Sequence, residues 1–333
     1  MSADFTRNPL FRHTLSAAAL MAGYRPHFEH PNKQTIYDIA VPVGATHTGA
    51  IECTRWPELP LPQHVDLSAV DQLCEAQPNP YAYQAALPGA VEWHVNFADP
   101  ELFGHFEGPL FAQDEIQVAE HPGLGAVRDE LRRRGEWTLT MDEGRPTPIL
   151  VSGVERRCSV STRPNARVGW PQGLYGNNLA KAPSESIPSA VTLVEPPTIT
   201  NLIAMVAPLP RYGVYDRDTI EFVLGTVYTA FAAARGESAR IGGAEAPVVV
   251  HTGFWGCGAF GGNRQLMTAL QLIGARMAGI DRVVFHAMDQ AGVAQVAAVV
   301  ASVPELSTGV APVGTILDQV EARGYRWGSG DGT

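Results

Sequence analysis

The stretch 249-VVHTGFWGCGAFGGNRQLMTALQLIGARMAGIDRVVFHAMD-289 decides the fold of this chain. It begins with an apolar run typical of a buried β-strand and continues into a loop in which five of the ten residues from Gly253 to Gly262 are glycine. An amphipathic helix and a second apolar run, 282-RVVFHAM-288, follow the loop. Strand, loop, helix and strand in this order predict one unit of an α/β fold.

Similar patterns fill the chain from residue 91 onward. Apolar runs separated by turn residues predict strands at 91–98, 149–155, 202–209, 246–254 and 282–288. Helical patterns predict helices at 216–236, 263–279, 291–303 and 314–324. Several strands are apolar almost throughout, which indicates a sheet covered on both faces. We therefore predict a three-layer α/β/α sandwich over residues 91–325.

The two ends of the chain differ in composition and pattern from residues 91–325. Residues 1–90 are rich in proline and show few strand signals, and one amphipathic helix is expected within 10–24. They predict a mainly helical or irregular N-terminal accessory lobe. Residues 326–333 include 328-GSGDGT-333 and predict a disordered tail.

Composition excludes several classes of function. The chain has 333 residues and a net charge of −10, which argues against direct binding to a nucleic-acid backbone. No apolar stretch approaches the roughly 20 residues that a membrane-spanning helix needs. The four cysteines lie far apart without a CxxC pair, so we expect no zinc site, no disulfide framework and a cytoplasmic protein. We expect neither a metal nor a cofactor.

The glycine loop has the character of an anion site. Glycines let the backbone approach a phosphate, and free N–H groups at a helix start point toward negative charge. Residues 256-GCGAFG-261 fit the GxGxxG spacing of nicotinamide-dinucleotide enzymes. Three features oppose that reading: the late position of the motif, the 33 residues between Gly256 and Asp289, and the aromatic residues within the loop.

A family resemblance explains the loop better. The segment 252-TGFWGCGAFGGNRQLMTALQL-272 resembles the C-terminal signature of poly(ADP-ribose) glycohydrolases, T-G-x-W-G-C-G-A-F-G-G-D/N followed by a helix. The family's second motif is a strand ending in F-A, a triple glycine, a spacer and Q-E-E. Here 95-VNFADPELFGHFEGPLFAQDEI-116 is similar to it, with 113-QDEI-116 in the acidic position. The resemblance implies a macrodomain-like sandwich with a mixed sheet.

The chain departs from the family at the triple glycine. The segment 103-FGH-105 stands in its place, so only Gly104 remains. Phe103 and His105 are expected to fill or reshape the space beside the ribose and diphosphate.

The resemblance also implies roles for individual residues. Glu115 would act as general acid and then general base, with Asp114 positioning ribose hydroxyls and Gln113 orienting the loop. The glycine loop would bind the diphosphate, Asn96 or Asp99 the adenine or a ribose, and Phe285 or Tyr212 would stack on adenine. The expected substrate-binding residues are Asn96, Gly104, His105, Gln113, Gly256, Cys257, Gly258, Ala259, Phe260, Gly261, Gly262 and Asn263.

The sequence leaves three functions open. The first is a glycohydrolase acting on a polymer, a protein or another ADP-ribosylated acceptor. The second is a non-catalytic ADP-ribose reader, suggested by the lost triple glycine. The third is an enzyme for a free NAD-derived metabolite, suggested by Phe103 and His105. Cys257 is expected to be a small buried residue and not a nucleophile, because no base stands near it in sequence.

Overall fold

The fold is centred on one mixed sheet of eight strands. The structure is a computed structural model that describes residues 8–307 and 309–330. The strands of the described chain are β1 (Phe11–Ser16), β2 (Ala50–Arg55), β3 (His64–Asp66), β4 (Cys74–Gln77), β5 (Val91–Ala98), β6 (Met141–Asp142), β7 (Arg145–Pro146), β8 (Ile149–Val160), β9 (Val191–Val206), β10 (Val248–Gly253), β11 (Arg282–His286) and β12 (Val310–Pro312). The helices are α1 (Ala17–Gly23), α2 (Pro31–Ala40), α3 (Val70–Leu73), α4 (Gln113–Glu120), α5 (Gly123–Arg133), α6 (Arg217–Gly242), α7 (Arg264–Ala278), α8 (Gln290–Ser302) and α9 (Val313–Ala322).

The sheet has the strand order β1-β2-β8-β9-β5-β10-β11-β4. The five strands from β9 to β4 are parallel to one another, whereas the pairs β1–β2, β2–β8 and β8–β9 are antiparallel. This is the predicted mixed sheet, and it differs from the 3-2-1-4-5-6 order of dinucleotide-binding domains. The hypothesis of a nicotinamide-dinucleotide fold, which the GxGxxG spacing raised, is therefore wrong.

The alternation of side chains along β5 shows how the layers form. Trp93 and Val95 belong to the large core under α6 and α7, and both are fully buried. Ala98 belongs to a second core with residues of α1 and α5 on the other face. The expected three-layer α/β/α sandwich is confirmed.

The sequence located the central elements well. β5 has the predicted bounds, and β8 and β9 are longer than predicted, at 149–160 and 191–206. α7 begins where Asn263 caps it, because the Asn263 side chain accepts the N–H groups of Gln265 and Leu266. It ends at Gly279, whose φ of +69° stops the helix.

The predicted N-terminal lobe is wrong. β1 and β2 lie at one end of the main sheet and β4 forms the other edge, so residues 11–16, 50–55 and 74–77 belong to the central layer. The helix expected within 10–24 is a strand followed by the short α1, which the Ser16 side chain caps. These edge strands are short and carry polar residues such as His13 and Glu52, which hides the period-two pattern of a strand.

Candidate functional site

A cleft of about 610 Å³ opens at the carboxyl ends of β5, β10 and β11. Its lining includes Ala98, Gly253 and His286, which close these three strands. Ligands bind at this edge in open α/β sheets. Most of the remaining lining comes from residues 113–117 of α4, 254–260 of the glycine loop and 159–163 at the end of β8.

The cleft brings together eight of the fourteen residues expected from the sequence: Gln113, Asp114, Glu115, Gly256, Cys257, Gly258, Ala259 and Phe260. Six others do not line it: Asn96, Gly104, His105, Gly261, Gly262 and Asn263. The two sequence-distant motifs, 113-QDE-115 and 256-GCGAF-260, thus meet at one cleft. The six remaining residues act from behind it or lie elsewhere.

Glu115 is held at the start of α4. Its Oε2 accepts the N–H of Ala112 at 2.8 Å, and the residue is 2% exposed. Burial raises the pKa of Glu115, and the positive charge of Lys33 opposes that rise. A glutamic acid with a raised pKa can carry a proton at neutral pH, which is what a general acid needs.

Asp114 and Gln113 are fixed by the end of β5. The Oδ1 of Asp114 accepts the Nδ2–H of Asn96 at 2.9 Å, and burial together with the charge of Glu115 raises the Asp114 pKa well above its usual range. The Gln113 side chain accepts the N–H of Phe97 at 2.7 Å and donates to the carbonyl of Val95 at 3.1 Å. Asn96 is therefore a support for Asp114 and not part of the lining.

Asp99 adds a third carboxylate. One oxygen each of Asp99, Asp114 and Glu115 lie within 4.8 Å of one another. By donor type this group could hold a divalent cation. Burial raises the pKa of all three carboxyls, however, which favours shared protons. His105, at 3.4 Å from Asp99, opposes the rise at that residue.

The glycine loop between β10 and α7 turns tightly on itself. The N–H groups of Cys257, Gly261 and Gly262 donate to the carbonyls of Phe254, Gly258 and Gly256. In the described chain, the N–H groups of the other four residues of the segment 256–262 make no backbone hydrogen bond: Gly256, Gly258, Ala259 and Phe260. All four of these residues line the cleft. They are available to an anionic ligand.

Close packing explains why this loop needs glycine. Gly256 has a φ of +72°, and a Cβ there would lie 2.6 Å from the Cβ of Ala207. A Cβ on Gly262 would lie 2.6 Å from the carbonyl oxygen of Gly256. Cys257 is half-buried, and its burial raises the thiol pKa to about 12, so it is not poised as a nucleophile.

Residues 326–330 back the glycine loop, although a disordered tail was expected there. Trp327 stacks on Tyr215 with ring centroids 4.2 Å apart, and the N–H of Gly328 donates to the carbonyl of Gly261 at 2.8 Å. The Asn263 side chain also donates to the carbonyl of Arg326 at 3.0 Å. The glycine-rich composition misled the prediction because small residues here permit close backbone contact; residues 331–333 lie outside the described residues.

Phe103 does not fill the cleft, as the sequence had suggested. It is fully buried in the second core, at a φ of +51°, and its carbonyl accepts a hydrogen bond from Arg128. His105 is 64% exposed in its side chain, and its Nε2 lies 3.4 Å from Oδ2 of Asp99. Gly104 closes a turn onto the carbonyl of Glu101. Neither bulky residue narrows the cleft, because neither lines it.

The aromatic residues of the cleft are not the two that the sequence suggested for stacking. Phe285 is fully buried beneath α8, and Tyr212 is 98% exposed outside the lining. The lining has other aromatic residues: Tyr81, Tyr83, Phe97, Tyr175, Phe254, Trp255 and Phe260. Arg264, also in the lining, lies 4.4 Å over the ring of Phe254. A basic residue at the first position of the loop's helix was a signal available in the sequence.

A buried histidine array lies beside the cleft. His94 stacks on His251 with ring centroids 4.2 Å apart, and the Nδ1 of His251 lies 3.1 Å from the Nε2 of His286. Burial lowers the pKa of His286 to about 4 and that of His121 to about 3, so both are neutral at physiological pH. Among the described residues, these histidines do not form a group of three or more potential metal ligands.

Comparison with known proteins agrees with this geometry. Residues 200–295 match the family model described as poly(ADP-ribose) glycohydrolase, macro domain fold. The chain resembles the poly(ADP-ribose) glycohydrolase family. The matched residues include the glycine loop, and 113-QDE-115 lies outside them.

Several solved structures of poly(ADP-ribose) glycohydrolase are similar to the chain. The enzyme from Thermomonospora curvata is 17% identical over 86% of this chain and 87% of that chain, with a TM-score of 0.45. Its form bound to the inhibitor ADP-HPD is 16% identical over 86% and 98%, with a TM-score of 0.47. The enzyme from Deinococcus radiodurans in complex with ADP-ribose is 16% identical over 87% and 96%, with a TM-score of 0.39. Such distant similarities carry no residue roles to this chain.

Two further comparisons bear on the class of protein. No curated protein sequence matches the chain. In the part of the chain that the structure describes, no helix has both the length and the hydrophobicity to span a membrane.

Proposed function

We propose that this protein is a glycohydrolase that cleaves a ribosyl glycosidic bond of an ADP-ribosylated substrate, with Glu115 as the general acid and base. One observation carries the proposal. A buried glutamic acid with a raised pKa and a glycine loop with four unengaged N–H groups line the same cleft. The family match over residues 200–295 supports ADP-ribose as the ligand class.

The chemistry follows from the positions of these groups. Cleavage develops positive charge on the ribose carbon and negative charge on the departing oxygen. Glu115 in its protonated form donates a proton to that oxygen, and its carboxylate then accepts a proton from the attacking water. Asp114, with Oδ2 free of partners in the described chain, accepts hydrogen bonds from ribose hydroxyls.

The diphosphate lies on the glycine loop in this proposal. The unengaged N–H groups of residues 256 and 258–260 provide donors that need no side chain. Arg264 adds a positive charge at the start of α7. These two contributions suit a dianionic linkage between two nucleoside-like halves.

The experiment compares Glu115→Gln with the wild-type protein on poly- and mono-ADP-ribosylated proteins. We expect turnover to fall by about a hundredfold or more, since general acid–base groups contribute about 10²–10⁴ in rate. Calorimetry should show ADP-ribose still bound. Glu185→Gln, an exposed carboxyl on a 3-10 helix, is the control and should leave turnover unchanged.

Two outcomes would contradict the proposal. Full activity of Glu115→Gln would remove Glu115 from the mechanism. Binding of ADP-ribose by the wild-type protein without turnover of any substrate would instead identify a reader, the alternative that the lost triple glycine suggests.

A further inference from the structure

Lys33 is a buried cation without a carboxylate partner. It lies in α2, is 3% exposed, and its Nζ donates to the carbonyl oxygens of Phe106 at 2.8 Å and His105 at 3.4 Å. Among the described residues no carboxylate oxygen lies within 4.0 Å of this Nζ. Burying an ammonium group is costly unless its charge has a use.

A small cavity joins Lys33 to Glu115. Both residues line a narrow space of about 20 Å³, together with the largely apolar side chains of Tyr24, Phe28, Tyr37, Phe106, Val118, Ala119 and Pro122. A space of this size holds about one water molecule. Bulk solvent therefore does not screen the two groups from each other, and their charges interact more strongly than at a surface.

We propose that Lys33 is a positioning residue for Glu115 that acts through its positive charge. Lys33 keeps the Glu115 carboxyl able both to release and to take back a proton. Its hydrogen bonds also fix the backbone of residues 105 and 106 beside Asp99. The inference rests on the proposed function, because it gives the buried charge a role in the same catalytic step. Lys33 itself does not touch the substrate, since it is absent from the lining of the large cleft.

The electrostatic balance around Glu115 supports this role. Burial raises the pKa of Glu115, Asp99 raises it further, and Lys33 is the strongest opposing influence. The carboxylates that face Lys33 are Glu115, Asp114, Glu29 and Glu107, and burial lowers the pKa of Lys33 to about 8. Lys33 is therefore largely charged at neutral pH. Without it, Glu115 would hold its proton too strongly to act as a base.

Three substitutions separate the charge of Lys33 from its hydrogen bonds. Lys33→Gln keeps a donor for the Phe106 carbonyl and removes the charge, Lys33→Met removes both, and Lys33→Arg keeps both. The readout is the pH profile of kcat. We expect the alkaline limb, which reports loss of the Glu115 proton, to move up by about one pH unit in Lys33→Gln and Lys33→Met. In Lys33→Arg the limb should stay in place.

A purely structural role predicts another result. Lys33→Gln and Lys33→Met would then lower kcat by the same factor at every pH, with an unmoved alkaline limb. That outcome would overturn the inference, even if both variants lost stability.

A second measurement does not depend on turnover. The side-chain carboxyl carbon of Glu115, identified by NMR through its loss in Glu115→Gln, is titrated in the wild type and in Lys33→Gln. A titration midpoint that rises in Lys33→Gln supports the inference about Lys33, even if the protein has no hydrolytic activity. An unchanged midpoint in an active protein refutes the inference about Lys33 and leaves the proposed function standing. If no Lys33 variant folds, the wild-type protein still provides a test. The Glu115 resonance should show a second titration step near pH 8, where Lys33 loses its proton, and the absence of this step counts against the inference.

Discussion

Glycine 262 shows how one missing side chain shapes the proposed diphosphate site. Its position permits no Cβ, because the Gly256 carbonyl oxygen would lie 2.6 Å away and is itself part of the turn. The sequence predicted Gly262 as a ligand contact, whereas in the structure its N–H donates to the carbonyl of Gly256. Gly262 therefore shapes the loop and leaves the binding to its neighbours.

Gly262→Ala tests this role. We expect strain of about 1–3 kcal/mol in the loop and an ADP-ribose affinity about tenfold weaker, measured by calorimetry. Gly314→Ala is the matched control, because a Cβ at this helical glycine of α9 meets nothing within 4 Å. An equal affinity for the two variants would show that the turn does not form the ligand site.

Residue roles could be predicted from the sequence only where a motif carried them. Glu115 and Asp114 follow from 113-QDEI-116, and the structure places both in the cleft. Lys33 and Asn96 act through residues that are distant in sequence. Lys33 acts on Glu115, 82 positions away, and Asn96 on Asp114, 18 positions away. No local pattern marks such a partner. Phe103 was misplaced because a sequence does not show which way a loop side chain turns.

At the scale of elements, long apolar strands and capped helices were predictable. β10 and α7 match their predicted places because burial on both faces and the Asn263 cap are local signals. The short strands β1, β2 and β4 were missed, because four to six residues are too few to establish a period of two. The segment around Tyr81 and Tyr83, which covers part of the cleft, has no regular structure that a pattern could reveal.

The C-terminal segment is an element whose contribution can be measured. Trp327→Ala should loosen the support behind Gly261, since an aromatic pair contributes about 1 kcal/mol beyond its buried area. We expect ADP-ribose affinity to fall about fivefold and amide exchange in the glycine loop to accelerate.

Two controls accompany this variant. Trp327→Phe keeps a ring against Tyr215 and should recover most of the affinity. Trp137→Ala removes a tryptophan that is 61% exposed and should leave both readouts unchanged. Unaltered loop exchange in Trp327→Ala would mean that the segment lies on the loop without supporting it.

The whole molecule carries a pH dependence built from its buried imidazoles. His121 is fully buried beside Tyr83 and Arg156, its Nδ1 lies 2.8 Å from the Gln117 carbonyl, and its pKa is lowered to about 3. As the pH falls below 6.5, His121 takes up a proton in the unfolded chain but stays neutral in the folded chain. The free energy of unfolding therefore decreases as the pH falls, down to about pH 3. The raised pKa values of Asp99, Asp114, Glu115 and Glu120 act in the opposite direction, because the folded form binds those protons first.

His121→Phe isolates the imidazole contribution. Between pH 7.5 and 5.0 the wild type should lose about 2 kcal/mol more than this variant, from the proton uptake at one histidine. Urea unfolding at the two pH values measures the difference. His27→Gln, at an exposed position, should behave as the wild type. An identical loss in His121→Phe would mean that residue 121 is already charged or solvated in the folded protein.

The strand order also governs when the chain can fold. β4 has only β11 as its neighbour in the sheet, with Cys74 aligned to Val283, and β2 joins the rest of the sheet through β8. A ribosome must therefore synthesise β8, which ends at Val160, before β2 finds this partner, and β11, which ends at His286, before β4 does. Until then their apolar edges are exposed, so synthesis is the period in which this protein is most prone to aggregation.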